Sequence, residues 1–299
     1  MIDGILPIDK PIGWTSHDVV ARVRRIAGQK HVGHAGTLDP LASGLLLLVL
    51  GTATRLSSYL MASAKTYCAE VVLGATTRTD DAEGPLQSET RVSLDRDTVE
   101  RVVQGFCGEI DQVPPLYAAV RHHGQKLYVL ARKGETVRPE PRRVQIDRID
   151  ILRWSPPRLR LRIVCGSGTY IRALARDIGS ALGTGGYLHA LRRVESGAFR
   201  VDTAAVLEGL DRDRLVQCVQ PADLAVTGLP AVVLDQVRAR RLVQGNGVPM
   251  AEDGEWRDRA MGSPSDDRVV RVYDMDGGLL ALAAVHDGVL RPRRVFLRG

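Results

Sequence analysis

The chain has 299 residues, carries 41 Lys and Arg against 35 Asp and Glu, and holds four cysteines. That length can bury a large core with a small second domain beside it, and a net charge of +6 suits a polyanionic partner without requiring one. No window approaches the ~20 apolar residues of a membrane span, the start Met1-Ile2-Asp3-Gly4 has no signal-like pattern, and Cys68, Cys107, Cys165 and Cys218 form no C-x-x-C pair. Buried free thiols and a cytoplasmic location are the expectation, with no metal site.

In chain order, Gly4 to Ile8 predicts a short strand ending in Asp9-Lys10-Pro11, where proline stops the pairing. From sequence pattern alone Lys10 reads as surface charge. Thr15-Ser16-His17-Asp18 offers a hydroxyl N-cap with an acid in the first turn, and Val19, Val20, Val23 and Ile26 make one helical stripe that Gly28 ends. His34 to Gly44 is loop chemistry rich in Gly and Pro, and Leu45 to Leu50 is too apolar to face water on either side, so it predicts a strand buried on both faces. Asp39 therefore stands at the mouth of a buried strand, and Pro40 holds it in an extended conformation. An ordinary Asp-Pro turn would look the same. His31-x-x-His34 could suggest a metal pair, but no third ligand at metal spacing accompanies it.

Thr54 to Met61 predicts a short helix. Thr66 to Leu73 alternates as a strand that turns Tyr67, Ala69, Val71 and Leu73 to one side. Thr76 to Gln87 reads as a solvated acidic loop, since Asp80-Asp81-x-Glu83 has too few ligands for a hard cation. Leu94 to Gly105 predicts a helix. From Arg121 to Arg143 there are seven Lys or Arg and two acids, an inserted basic excursion longer than an ordinary connection, with helical spacing over Gln125 to Lys133. Val144 to Leu152 and Arg158 to Cys165 return as strands, the second alternating Leu159, Leu161 and Ile163 with Arg158, Arg160 and Arg162. Tyr170 to Leu182 predicts a helix whose first turn contains Arg172, where the helix dipole disfavours a cation by some tenths of a kcal/mol. Such an arginine needs an anionic partner. His189 to Arg193 begins another strand, and Val206 to Pro230 is helix and connector. Beyond it the short strands Val232–Leu234, Val269–Tyr273, Leu279–Val285 and Val289–Leu297, with a helix from Gln236 to Gln244, read as a small β-barrel-like module interrupted by a polar excursion, 251–267.

Gly33-His34-Ala35-Gly36-Thr37-Leu38-Asp39-Pro40, with Ala42, Gly44 and Gly51-Thr52-Ala53-Thr54, closely resembles the signature of the TruB family, the bacterial tRNA pseudouridine-55 synthases. Asp9-Lys10-Pro11, Lys65-Thr66-Tyr67, Lys126-Leu127-Tyr128, Gly168-Thr169-Tyr170-Ile171-Arg172 and Leu191-Arg192-Arg193 match that family in the same order, so the resemblance spans nearly the whole chain. It implies an α+β catalytic domain at 1–227 on a central, mainly antiparallel sheet with flanking helices, a thumb-loop insertion at 121–143, and a PUA-like RNA-binding domain at 228–299. It also implies an isomerase that flips uridine 55 out of the T loop of tRNA and converts it to pseudouridine. Asp39 would be the nucleophile, Arg172 its ion-pair partner, and Tyr67 the residue stacked on the base. His34 would fill the space left by the flipped base, Lys10, Tyr170 and Leu191 would line the pocket, and Lys126 and Arg132 would hold RNA. The rearrangement neither adds nor removes atoms, so no cofactor is expected, nor any membrane or obligatory protein partner. The competing readings are an RNA-binding or tRNA-folding module with an idle site, and a guide-RNA-dependent synthase.

Overall fold

The structure is a computed structural model and describes residues 1–117, 121–122, 125–126, 139–250 and 268–296. Strands of its two main sheets are numbered here in chain order. The larger sheet holds β1 (Gly4–Lys10), β2 (Val32–Ala35), β3 (Ala42–Leu50), β4 (Lys65–Leu73), β5 (Gly108–Gln112), β6 (Arg142–Ser155), β7 (Arg158–Cys165), β8 (Gly186–Ser196), β9 (Phe199–Arg200) and β10 (Ala205–Val206). Their main path runs β10-β1-β3-β8-β4-β7-β6-β5. Every pairing is antiparallel except β1 with β10 and β3 with β8.

The Leu45–Leu50 run explains why β3 is central. Leu46, Leu48 and Leu50 enter one apolar cluster, while Leu45, Leu47 and Val49 enter another on the opposite face. Each such side chain, fully buried, stabilises the fold by about 1.5–3 kcal/mol relative to exposure. Helix α1 (Ser16–Ala27) covers the first face with Val19, Val20 and Val23, and a capping box between Thr15 and Asp18 starts it. Helices α2 (Ser57–Ala62), α3 (Arg96–Gln104), α4 (Ile171–Ala181) and α5 (Arg212–Cys218) complete the layers around this sheet. The stripe of α4, Ile171, Leu174, Ala175 and Ile178, lies in the same cluster as Leu46 and Leu48.

The smaller sheet has β11 (Ala231–Val233), β12 (Val248–Pro249), β13 (Val269–Tyr273), β14 (Leu279–His286) and β15 (Val289–Val295), in the order β11-β13-β14-β15-β12. With helix α6 (Gln236–Val243) it encloses its own core of Val232, Leu234, Leu242, Val270, Val272, Ala281 and Leu290. Leu56 and Val226 meet Leu282 and Phe296 between the two sheets, where the Arg294 guanidinium also lies 5.7 Å from the Tyr59 ring centre.

Several expectations change. Thr54 to Met61 is a 3-10 turn, Gly51–Leu56, followed by the short α2. The acidic stretch after β4 is an antiparallel ribbon, Ala75–Thr77 with Leu86–Glu89, and its turn buries Asp81 at 3% exposure. The cationic face of β7 is largely neutralised: Glu70 accepts from Arg158 and Arg160, and Glu195 pairs with Arg162. In the basic insertion, Arg121–His122 pairs with Gln125–Lys126 as a ribbon where a helix was expected to begin at Gln125. The rest of that helical expectation, and the polar excursion 251–267, lie outside the described residues. All four cysteines are free, but only Cys165 is fully buried.

Candidate active site

Asp39 is held by its chain neighbours. The Ser16 hydroxyl, at the start of α1, donates to Leu38 O at 3.1 Å and accepts from Leu38 N at 2.9 Å. On the other side Gly13 N donates to Pro40 O at 2.8 Å, and Ala42 N donates to Asp39 O at 3.1 Å. A loop restrained at three successive residues presents its carboxylate in one place.

Arg172 meets that carboxylate from α4. Its Nε lies 3.0 Å from Asp39 Oδ2, and its Nη1 lies 3.4 Å from Asp81 Oδ2. The same guanidinium donates to Thr79 O and Tyr117 O, at 3.4 and 3.3 Å. Arg172 and Asp81 are both buried, whereas the Asp39 side chain keeps 39% exposure and stays open to a substrate. The cation that the α4 dipole disfavours thus has two carboxylates against it. Asp81 is itself fixed by the Thr79 hydroxyl and by Glu83 N at 3.1 Å. The acidic pattern Asp80-Asp81-x-Glu83 was the only sequence signal for this residue, and its partner is on a distant helix.

Burial raises the pKa of Asp39 above the ordinary carboxylate range; Arg172 and Lys10 work against this, and Asp81 adds to it. Lys10, surface charge by sequence pattern alone but near the active-site loop by the family resemblance, is fully buried at the end of β1, where its Nζ donates to Pro11 O at 2.9 Å and Trp14 O at 2.7 Å. Desolvation lowers its pKa to about 8, although Asp39 pulls it upward.

Tyr67 on β4 is almost fully buried in the main core, with its pKa raised by burial and drawn back by Arg193. Tyr170, the residue before α4, is held by its N–H donating to Gln112 Oε1 at 2.8 Å; burial raises its phenol pKa, and Asp39 adds to the effect. Leu191 on β8 sits between Ala42 of β3 and Ala69 of β4, half-buried against the main core. His34 lies on β2 opposite Leu48, and its buried Nδ1 has no partner among the described residues. Desolvation and then Arg193 lower its pKa, so the imidazole is neutral at neutral pH. The structure therefore places Arg172 against the Asp39 carboxylate and Lys10, Tyr67 and Tyr170 within reach of its charge, with Leu191 on β8 beside β3 and His34 on β2. Only the backbone of Lys126 is described, in the short ribbon, and Arg132 lies outside the described residues.

An ionised carboxylate beside a buried guanidinium, with two phenols and an amine nearby, can perform nucleophilic attack and proton transfer on a neutral ring. Among the described residues no group of three or more His, Cys, Asp or Glu could hold a metal ion, and no helix is long and apolar enough to cross a membrane.

Three family profiles match consecutive parts of the chain: TruB family pseudouridylate synthase (N terminal domain) at 24–171, tRNA pseudouridylate synthase B C-terminal domain at 172–227, and pseudouridine synthase II TruB, C-terminal, at 230–296. The tRNA pseudouridine synthase B of Ralstonia pickettii (strain 12J) is 42% identical over 309 residues, covering 98% of this chain and 94% of that protein. That of Burkholderia mallei (strain NCTC 10247) is 41% identical over 301 residues, covering 100% and 98%. Among solved structures, a chain of a Cbf5-Nop10-Gar1 complex matches with a TM-score of 0.75 at 26% identity, covering 99% of this chain and 85% of that one. A second, from an H/ACA RNP bound to a substrate RNA containing 2'-deoxyuridine, has the same TM-score at 24% identity and speaks for the fold alone.

Proposed function

The chain belongs to the TruB family of pseudouridylate synthases, and from that premise we propose that it isomerises uridine to pseudouridine at position 55 in the T loop of tRNA. The observation that carries the chemistry is Asp39, 39% exposed and paired at 3.0 Å with a buried arginine. Its carboxylate attacks either C1′ of the ribose or C6 of the base, and Arg172 stabilises the charged form that attack requires. The N1–C1′ bond breaks, the base turns, and C5 bonds to C1′ as the carboxylate leaves. C5 then loses its proton, a role the family resemblance gives to Tyr67, and N1 gains one. No oxidant or group donor enters that balance.

A stacked uridine must leave its loop to reach Asp39. By the family resemblance, His34 occupies the space vacated in the RNA. Lys10, Tyr170 and Leu191 line the pocket for the flipped base. We assign residues 1–227 to catalysis and 228–299 to a PUA-like RNA-binding domain, and place the enzyme in the bacterial cytoplasm. Bacterial relatives matched over nearly their full length support a stand-alone enzyme over a guide-RNA-dependent one with protein partners.

Isomerisation replaces the hydrogen on C5, so a tRNA transcript labelled with tritium at C5 of uridine should release label to water when incubated with this protein alone. Retention of all label would overturn the proposal. The seven cations between Arg121 and Arg143 give a second expectation. If they contact phosphates, neutralising several should flatten the salt dependence of tRNA binding by about one unit of slope per lost contact. An unchanged slope would remove this insertion from the RNA interface.

A further inference from the structure

Among the described residues, Arg193 is the largest fully buried side chain, 1% exposed, and it has no carboxylate within ion-pairing distance. A buried guanidinium without a counter-ion costs several kcal/mol unless its donors are satisfied, so what those donors hold is decisive. Its position is specific. On β8 it is the register partner of Gly44 in β3 on one side and of Tyr67 in β4 on the other. β8 thus joins the strand that follows Asp39 to the strand that carries Tyr67.

The donors of Arg193 go to the segment around Asp39. Nε donates to Leu45 O at 2.6 Å and Nη2 donates to Gly36 O at 3.1 Å, so one guanidinium ties both ends of the loop that presents the carboxylate. The backbones are close enough that a Cβ on Gly44 would lie 2.3 Å from Arg193 O, and the φ of +99° at Gly44 is one that glycine adopts without strain. The Arg193 charge also draws the pKa of the buried Tyr67 phenol back down. Lys10, His34 and Lys65 all sense its charge.

We propose that Arg193 is a positioning residue for the reaction: from the strand between β3 and β4, it fixes the Asp39 loop through the carbonyls of Gly36 and Leu45. This rests on the isomerase reading of the site. Arg193 acts through its neighbours and does not itself reach the substrate.

The test compares full-length Arg193→Gln and Arg193→Lys with wild type. Misplacing reacting groups by an ångström costs about 10²-fold, so Arg193→Gln should lower kcat for pseudouridine formation by about that factor while KM for tRNA stays within about twofold. Lysine keeps the charge and can reach one carbonyl but not fork between two, so Arg193→Lys should recover only about tenfold of the loss. In parallel, hydrogen exchange on the RNA-free proteins should quicken in peptides covering residues 36–45 and stay unchanged in the smaller sheet. Wild-type kcat in Arg193→Gln would overturn the proposal. So would a loss accompanied by faster exchange throughout the larger sheet, which would mark a role in folding. If wild type makes no pseudouridine at all, the isomerase reading fails, and the exchange of residues 36–45 still decides whether Arg193 holds that loop.

Discussion

Asp39→Asn should bind tRNA with near wild-type affinity and form no detectable pseudouridine. The amide matches the carboxylate in shape and leaves the loop contacts of Leu38, Pro40 and Ala42 in place, but it removes the nucleophile. Loss of an activated nucleophile lowers turnover by roughly 10⁴-fold or more, because the steps built on the covalent intermediate disappear together. The pH dependence of the wild type carries the same signature. Burial raises the pKa of Asp39, and the ionised form attacks, so the rate should fall as pH drops through a value above the ordinary carboxylate pKa of about 4. A single-turnover profile whose acid limb sits at or below that value, or turnover by Asp39→Asn, would remove Asp39 from the role of nucleophile.

Asp81→Asn should lower the rate on the order of 10²-fold, with tRNA affinity little changed. Asp81 is buried at 3% exposure and held within its own turn. It completes the surroundings of Arg172, whose guanidinium is shared between Asp81 at 3.4 Å and Asp39 at 3.0 Å. Without the Asp81 charge the buried cation is drawn further onto Asp39, which weakens the carboxylate as a nucleophile and shifts the fork. A stability loss of about 1.5–3 kcal/mol should accompany it, the usual worth of a hydrogen bond to a charged group. Thermal unfolding read beside single-turnover kinetics separates the effects. An unaltered rate in a correctly folded variant would show that Arg172 needs no second anion.

Sequence pattern was most informative where local chemistry decides. The Leu45–Leu50 run dictated a strand buried on both faces, and Thr15, Asp18 and Gly28 marked the limits of α1. Arg172 in a first helical turn announced the need for an anion before any partner was visible. Residues whose meaning depends on distant strands were harder to read. Asp81 looked like part of a solvated acidic turn, because nothing local shows that α4 closes over it. Lys10 looked exposed at a strand end, yet the turn through Trp14 folds back and takes its ammonium as donor to two carbonyls. Arg193 matched a family motif without a role, since its function depends on the pairing of β8 with both β3 and β4. The resemblance supplied the roles of Asp39, Tyr67 and His34, and geometry supplied the connections among them.

The most direct test is to incubate the purified protein with an unmodified tRNA transcript, no cofactor and no other protein, and to map pseudouridine at every position. The expected result is one modified uridine, at position 55 in the T loop, formed by wild type and absent with Asp39→Asn. A transcript that is bound but unmodified, or one modified only outside the T loop, would contradict it.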